Sequence, residues 1–289
     1  SIIGLTSRKR NFVAIIKIDK IEKINQIDKI CKLWFGTDDI NHPGVALIKN
    51  SGDYIISGKP YLIKENYNYS TALTPSQTRD IFNHKGWHNI IGFHTRNIIH
   101  RGHGFIQKKA LKQTDADAIY ISPVIGDKKI GDFKPEIILK AYEILINKNY
   151  YKPYGVLINP FNTYSRYSGP REAIFTALCR KNFGCNYFII GRDHTGVGNY
   201  YDKDASINIF NRIDIDMNIL PFNTVYYSTK ENIISDNIAG NNDLLPLSGT
   251  VIRDSLKSNG CVPDYTVEKS VKQLIENCYS NNPIDLFVE

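Results

Sequence analysis

The chain has 289 residues, of which 42% are hydrophobic, and it carries a formal net charge of +7 with a pI near 9.0. No apolar run approaches the ~20 residues that a membrane-spanning helix needs, and the first residues lack the apolar core of a secretory signal, so we expect a cytoplasmic protein without membrane contact. The positive charge is spread along the chain rather than gathered in a stripe, which argues against nucleic-acid binding.

The five cysteines give no indication of a metal site. They are dispersed, without a CxxC or another metal-ligand spacing. An odd, scattered set is typical of reduced thiols in a cytoplasm. We therefore expect no protein-bound metal.

Residues 1–68 are predicted to form a β-rich N-terminal module. Its predicted elements are a strand, a short amphipathic helix and a hairpin, at residues 11–18, 24–33 and 53–63. The hairpin is expected to turn at Gly58 and Lys59. The polar residues 65–70 are the expected linker to the next domain.

A second domain is predicted over residues 69–223, opening with a helix capped by Thr74 and started by Pro75. Short apolar runs typical of strands buried on both faces follow at residues 89–93, 118–121, 155–158 and 187–190. Helical stretches lie between them at residues 134–148 and 170–182. This alternation predicts a parallel sheet. Ligands of such sheets bind beyond the carboxyl ends of the strands, where four Gly-, Pro-, Arg- and His-rich loops are expected to converge.

The first of these loops carries His100 and His103 between a predicted strand and a predicted helix at 105–111. A helix N-terminus favours an anion through its free N–H groups and its dipole. Two imidazoles and the nearby Arg96 and Asn97 add donors that suit a triphosphate beside a second anion. Most His-x-x-His pairs are surface or core histidines without chemistry, but the strand–turn–helix context favours a functional interpretation here.

Two further segments fit a nucleotide site, although each is weak alone. Residues 191–198 form a glycine-rich loop directly after a strand, with Arg192 and His194 able to meet phosphate or base. Residues 248–253 place hydroxyls at a helix start with Arg253 one turn in, within a small C-terminal module at 224–289. An ordinary turn and an ordinary capped helix would look the same.

Taken together, these motifs resemble the HxGH nucleotidyltransferase superfamily and, within it, the ATP sulfurylase family. The resemblance covers nearly the whole chain and is carried by residues 96–97, 100–103, 166–173, 180–184 and 191–194. Residues 34–39, 42–45 and 73–75 resemble that family's N-terminal PUA-like module. The resemblance implies that the chain begins part-way into this module.

The resemblance implies an α/β fold: a Rossmann-like catalytic domain with a parallel sheet, a PUA-like β-rich module before it and a small α/β module after it. It implies a sulfate adenylyltransferase, in which sulfate attacks the α-phosphorus of ATP and yields adenylyl sulfate and pyrophosphate without a covalent enzyme intermediate. Mg²⁺ would arrive with ATP, and a homo-oligomer is expected.

Site residues carry over by position in the motifs. The implied catalytic residues are Thr95, Arg96, Asn97, His100 and His103. The implied nucleotide-binding residues are these five with His94, Gly191, Arg192, Asp193, His194, Val225 and Arg253. The acceptor anion would meet His94, Arg96 and Thr195.

Four positions depart from the family's usual residues. His94 stands where the family has Gln, Thr195 where it has Ala, Ser122 where it has His and Ser165 where it has Met. Because two of these touch the acceptor anion, an alternative is a related nucleotidyltransferase with another oxyanion acceptor, such as a phosphonate. A third interpretation is a noncatalytic nucleotide- or RNA-binding protein, whereas the missing GxxxxGK[ST] loop argues against a kinase.

Overall fold

The N-terminal part is built around an antiparallel sheet. The structure is a computed structural model that describes residues 1–6, 12–62, 72–191, 194–237 and 243–288. The sheet has the order β1-β2-β3, with strands β1 (Ile2–Thr6), β2 (Phe12–Lys23) and β3 (Tyr54–Leu62). Helices α1 (Ile27–Phe35) and α2 (Pro43–Lys49) lie between β2 and β3. The β-rich module is confirmed.

The predicted hairpin within residues 53–63 is wrong. Gly58 and Lys59 lie inside β3 and pair with Ile18 and Lys17 of β2. The register shifts next to Ile18, and a Cβ on Gly58 would overlap the backbone oxygen of Lys17. The glycine therefore permits a close approach of two strands at an irregular pairing, rather than a reversal of the chain.

Helix α3 (Pro75–Lys85) begins as the sequence predicts. The Thr74 hydroxyl accepts from the Gln77 backbone N–H at 3.4 Å, and the Gln77 side chain accepts from the Thr74 N–H at 2.8 Å. This reciprocal capping satisfies two donors that the helix leaves free. The expected linker, residues 65–70, lies outside the described residues.

A parallel sheet forms the centre of the molecule, as predicted, and it has five strands where four were predicted. Its order is β6-β5-β4-β7-β8, with strands β4 (Ile90–Thr95), β5 (Ala118–Pro123), β6 (Gly155–Ile158), β7 (Tyr187–Gly191) and β8 (Asn218–Phe222). Strand β8 was not predicted from the sequence. This strand contains Pro221 and lies at the edge of the sheet, where proline is tolerated.

Helices cover both faces of this sheet and explain its apolar strands. These helices are α4 (Arg101–Gln113), α5 (Pro135–Asn147), α6 (Pro170–Asn182) and the short α7 (Ala205–Asn208). Ile91 and Ile119 pack in the core shared with α4 and α5, whereas Ile90 and Tyr120 pack in a separate cluster with Phe82 of α3. Alternate residues of each strand are thus buried on opposite faces.

The C-terminal part adds a small antiparallel sheet and two helices. The sheet has the order β10-β9-β11, with β9 (Tyr226–Ser228), β10 (Ile233–Ser235) and β11 (Leu244–Pro246). Helices α8 (Gly249–Asn259) and α9 (Lys269–Asn281) follow. Val271 and Ile275 of α9 are buried in the same core as Ile91 of β4, so this part packs onto the central sheet. Among the described residues, no helix is both long and apolar enough to span a bilayer.

Candidate active site

The loops that leave the carboxyl ends of the central strands meet at one edge of the sheet, as predicted. The Val124 N–H donates to the Thr95 carbonyl at 2.8 Å, which joins the loops after β5 and β4. The Gly169 N–H donates to the Thr195 carbonyl at 3.4 Å, which joins the loops after β6 and β7. Arg192 and Asp193, in the loop after β7, lie outside the described residues.

An open cavity of about 360 Å³ lies at this edge. Eight of the predicted site residues line it: His94, Thr95, Arg96, Asn97, His103, Gly191, His194 and Thr195. Ser248 and the apolar Phe93, Ile106 and Ile189 complete the lining. His100, Val225 and Arg253 do not line it, and Val225 is buried in the main core. One cavity thus gathers residues from three of the predicted motifs.

The two histidines lie at the N-terminus of α4, which begins at Arg101 rather than near residue 105. His100 is the N-cap, and its Nδ1 accepts from the His103 backbone N–H at 3.2 Å. The two rings stack with centroids 3.7 Å apart. Gly102 permits this arrangement, because a Cβ there would lie 3.0 Å from the His100 Nδ1. The capping role of His100 was not predicted from the sequence.

Burial keeps both imidazoles neutral. It lowers the pKa of His100 well below its ordinary value, and it lowers the pKa of His103 to about 4. Because the His100 Nδ1 accepts a hydrogen bond, its proton resides on Nε2. The pair therefore offers N–H donors rather than positive charges at the helix N-terminus.

The turn after β4 holds Arg96 above an aromatic ring. β4 extends to Thr95, whose hydroxyl accepts from the Asn97 N–H at 3.2 Å. The Arg96 guanidinium lies 5.0 Å from the centroid of the Tyr167 ring. Within the described part of the chain, the buried Arg96 Nη1 has no hydrogen-bond partner. The Arg96 guanidinium thus lines the cavity, and its Nη1 is available to donate to a ligand.

The C-terminal helix α8 contacts this turn. Its N-cap, Ser248, lines the cavity and accepts from the Val251 N–H at 3.3 Å. Arg253 Nη1 donates to the Asn97 Oδ1 at 3.4 Å and lies 3.8 Å from the Asp132 carboxylate. Arg253 therefore reaches the site through Asn97 rather than by lining the cavity itself.

His94, His194 and Thr195 also line the cavity. The His94 and His194 rings lie 5.7 Å apart, and burial together with nearby arginines lowers the pKa of His194 to about 3. Thr195 has φ of 57°, in the left-handed region that β-branched residues seldom adopt. Its hydroxyl lies 3.1 Å from the Gly169 carbonyl, which holds this backbone conformation against the loop after β6.

Arg180 of α6 contacts His94, and no role was predicted for it from the sequence. It is 0% exposed, and its Nη2 donates to the His94 Nδ1 at 2.7 Å and to the Ser122 carbonyl at 3.2 Å. Its spacing of four residues from Thr176 places it on the buried stripe of α6, but this spacing does not reveal its partners.

A search of the described residues finds no group of three or more His, Cys, Asp or Glu side chains placed to hold a metal ion. Electrostatically, the site is dominated by the cations Arg96, Arg180 and Arg253, with neutral imidazoles between them. Such a cavity suits anionic ligands.

Comparison with known proteins agrees with this geometry. A family model described as ATP-sulfurylase matches residues 69–277, and one described as a PUA-like domain matches residues 1–65. The sulfate adenylyltransferase of Pyrococcus abyssi is 39% identical over 84% of this chain. Those of Ignicoccus hospitalis and Thermococcus onnurineus are each 38% identical, over 83% and 84% of the chain.

These relatives are longer, and the chain spans 65%, 64% and 65% of their respective lengths. Among solved structures, the hexameric APS kinase from Thiobacillus denitrificans aligns with 98% of this chain and 50% of its own, with a TM-score of 0.60 and 15% identity. That likeness shows a shared fold. Because the ATP-sulfurylase model matches well over half of this chain's residues, the chain belongs to the ATP sulfurylase family.

Proposed function

We propose that the chain transfers the adenylyl group of ATP to sulfate, giving adenylyl sulfate and pyrophosphate in a reversible reaction. The observation that carries the proposal is one cavity lined by His103, at the N-terminus of α4, and also by Arg96, His94 and Thr195. A polyphosphate and a separate oxyanion need two adjoining sets of donors, and this cavity supplies both. The names of the relatives, all sulfate adenylyltransferases, favour sulfate over another oxyanion.

In this reaction a sulfate oxygen forms a bond to the α-phosphorus. The bond from that phosphorus to the bridging oxygen breaks, and pyrophosphate leaves with the electron pair. No side chain forms a covalent bond, so the residues act through position and charge. Arg96 is proposed to hold the attacking anion, while His100 and His103 donate to phosphate oxygens whose charge grows in the transition state.

The helix adds to this stabilisation. The N-terminus of α4 carries partial positive charge and free N–H groups, which favour phosphate. Because His100 uses Nδ1 to cap the helix, its Nε2–H remains as the donor. Asn97, held by Arg253, is proposed to orient the phosphates.

The other nucleotide contacts complete the proposal. Gly191, Arg192, Asp193 and His194 are proposed to hold the nucleotide from the loop after β7, with Val225 against adenine and Arg253 on the phosphate side. We propose that Mg²⁺ enters with ATP as part of the substrate, since phosphate oxygens and water can supply its ligands.

The state of the protein in the cell is also proposed. The structural neighbour, the APS kinase from Thiobacillus denitrificans, is a hexamer, and this supports a homo-oligomer. The five cysteines are free thiols, which is consistent with a cytoplasmic location. Light scattering coupled to size-exclusion chromatography measures the assembly, and a single-chain mass would overturn the oligomer.

The activity is tested in the direction of ATP synthesis, with adenylyl sulfate, Mg²⁺ and pyrophosphate. We expect ATP formation, and we expect Arg96→Ala to lower it by about 10²–10³-fold, the usual effect of removing a donor to a developing charge. Arg212→Ala, at an exposed arginine outside the cavity, is the control.

The forward assay identifies the acceptor by pyrophosphate release with sulfate, phosphate and a phosphonate. Release with sulfate alone supports the proposal. Pyrophosphate release with a phosphonate but not with sulfate would show that a phosphonate is the acceptor. Nucleotide binding without any turnover would overturn the enzymatic function.

A further inference from the structure

Arg180 is a buried cation whose partners are neutral. It is 0% exposed, and its side chain contacts the His94 ring, the Ser122 carbonyl and the face of the Phe161 ring, 4.7 Å from the guanidinium carbon. Within the described residues, none of its hydrogen-bond or ion-pair partners is a carboxylate, and its buried Nε has no partner. Burial of a charge without a counterion is costly, so its placement beside the cavity calls for an explanation.

The backbone permits this close approach at one glycine. Gly92 lies on β4, two residues before His94, and a Cβ there would be 2.9 Å from both Cβ and Cγ of Arg180. A side chain at position 92 would push α6 away from the strand. The contact between Arg180 and His94 therefore depends on the close packing of α6 against β4 at Gly92.

The hydrogen bond between these residues fixes a proton. A guanidinium can only donate, so the His94 Nδ1, 2.7 Å from Arg180 Nη2, must present its lone pair. Burial, and then the charge of Arg180, lower the pKa of His94 well below its ordinary value, with smaller contributions from His194, Arg96 and Lys128. A neutral imidazole that accepts at Nδ1 carries its hydrogen on Nε2.

We propose that Arg180 is a positioning residue for the acceptor site, which holds His94 as a fixed Nε2–H donor facing the cavity. His94 lines that cavity, and Nδ1 is already engaged, so Nε2 is the ring nitrogen left for a ligand. The proposal deepens the proposed function, on which its substrate consequences rest: the acceptor anion meets a donor that cannot turn into an acceptor.

This arrangement favours an unprotonated oxygen at one position of the acceptor. Such an oxygen accepts from Nε2–H, whereas a hydroxyl turned toward the ring finds no acceptor at His94. Because hydrogen phosphate can meet this donor with one of its unprotonated oxygens, the donor sets the orientation of the acceptor rather than its identity. The buried positive charge behind the ring also polarises the donor.

A carboxamide at position 94 could accept the same hydrogen bond from Arg180. A Gln at position 94 could accept from Arg180 through its Oε1 and present its NH₂ to the cavity, so imidazole and carboxamide offer the ligand the same kind of group. The difference between this chain and its family at His94 then leaves the acceptor chemistry intact.

The direct test is the tautomer itself. Protein labelled with ¹⁵N-histidine is examined by NMR between pH 6 and 8, and the His94 signals are assigned by their loss in His94→Gln. We expect the Nε2–H tautomer throughout, without titration. An Nδ1–H tautomer, or a charged ring in this range, overturns the inference.

The kinetic test uses an isosteric pair, His94→Gln and His94→Glu. Both can accept from Arg180, but only Gln can donate into the cavity, whereas Glu presents negative charge. We expect the KM for sulfate of His94→Glu to exceed that of His94→Gln by at least about 100-fold, with the KM for ATP changed far less. The thermal midpoint of the Glu variant should not fall, because Arg180 gains a counterion. KM values for sulfate within about threefold of each other overturn the inference.

Two controls separate the possible failures. The same pair of substitutions at the exposed His84 should leave both KM values unchanged. If wild-type protein shows the locked tautomer but no transfer to sulfate, the proposed function fails and the positioning role stands. If transfer occurs and the tautomer is wrong, the positioning role alone fails.

Discussion

The two proposed parts of the cavity are built in different ways. The proposed phosphate-binding residues Asn97, His100 and His103, called here the phosphate end, come from one short stretch that leads from a single strand into a single helix. The proposed acceptor-binding residues His94, Arg96 and Thr195, called here the acceptor end, depend on distant parts of the chain: His94 and Arg180, which bond to each other, are 86 positions apart. A local arrangement leaves a motif in the sequence, whereas a distributed one leaves only separate residues.

The ends also differ in how they present positive charge. The phosphate end offers the N-terminus of α4 and two neutral imidazoles. The acceptor end holds Arg96, which lines the cavity directly, and Arg180, whose charge lies behind the neutral His94. A guanidinium beside one oriented neutral donor suits a small oxyanion.

The largest expected effect separates the two ends by their kinetics. His103→Ala should lower kcat by about 10²–10³-fold, because it removes a donor to charge that develops on the phosphates. The KM for sulfate should change little in comparison, since sulfate is proposed to bind at the acceptor end. Steady-state kinetics with each substrate varied in turn measure both constants. A variant that mainly raises the KM for sulfate would contradict the division of the cavity.

The fold of the central sheet could be predicted because its signals are local. Continuous apolar runs marked β4 to β7, and proline positions marked the starts of α3 and α6. The turn predicted at Gly58 was wrong, because glycine occurs where two strands approach each other closely as well as in turns. Pro221 hid β8, since only its place at the sheet edge allows it to stay in a strand.

The placement of the candidate site residues could be predicted in part. The strand–turn–helix pattern put Arg96 and His103 in the same loop region, and both line one cavity. The capping role of His100 depends on where the helix starts, which the apolar pattern of residues 105–111 does not reveal. The role of Arg180 depends on packing between α6 and β4, which no sequence spacing encodes.

Acid should destabilise the fold through histidines at both ends. Burial lowers the pKa of His100 well below its ordinary value, that of His103 to about 4 and that of His194 to about 3. Below about pH 6.5, the unfolded chain binds protons that the folded chain excludes, so stability is lost as the pH falls. Each such histidine can cost up to about 1.4 kcal/mol per pH unit below that value.

Urea denaturation at pH 7.5 and 5.5 measures this effect. We expect a lower midpoint at pH 5.5, and His103→Gln should reduce the difference while His84→Gln, at an exposed position, should not. A midpoint that does not move between the two pH values would show that the folded protein accepts these protons, contrary to burial.

The two roles of His100 can be separated by a smaller effect. His100→Ala removes the N-cap and should lower the free energy of unfolding by about 1 kcal/mol. His100→Asn restores a capping oxygen and should regain most of that loss. Neither variant has a ring N–H, so kcat should be reduced in both. Full recovery of kcat in the Asn variant would reduce His100 to a structural cap.

The smallest expected effect concerns a cation beside Arg96. The Lys128 Nζ donates to the Arg96 carbonyl at 2.6 Å. Burial, with Arg96 and Arg253 opposing and Asp132 favouring its charge, lowers the pKa of Lys128 to about 8. Lys128 therefore loses its charge as the pH rises through 8, and the attraction for an anionic nucleotide weakens there.

We expect the KM for ATP to rise by about threefold between pH 7 and 9, the size of a weakly screened charge near a ligand. Lys128→Arg, which keeps its charge over this range, should remove the rise, and Lys129→Arg at the exposed neighbour should not. Because Lys128 bonds to Arg96 and its charge acts on His94, the KM for sulfate should rise as well in the wild-type protein, and Lys128→Arg should hold both constants level. A rise that persists in Lys128→Arg would show that another group titrates, and the role assigned to Lys128 would then fail.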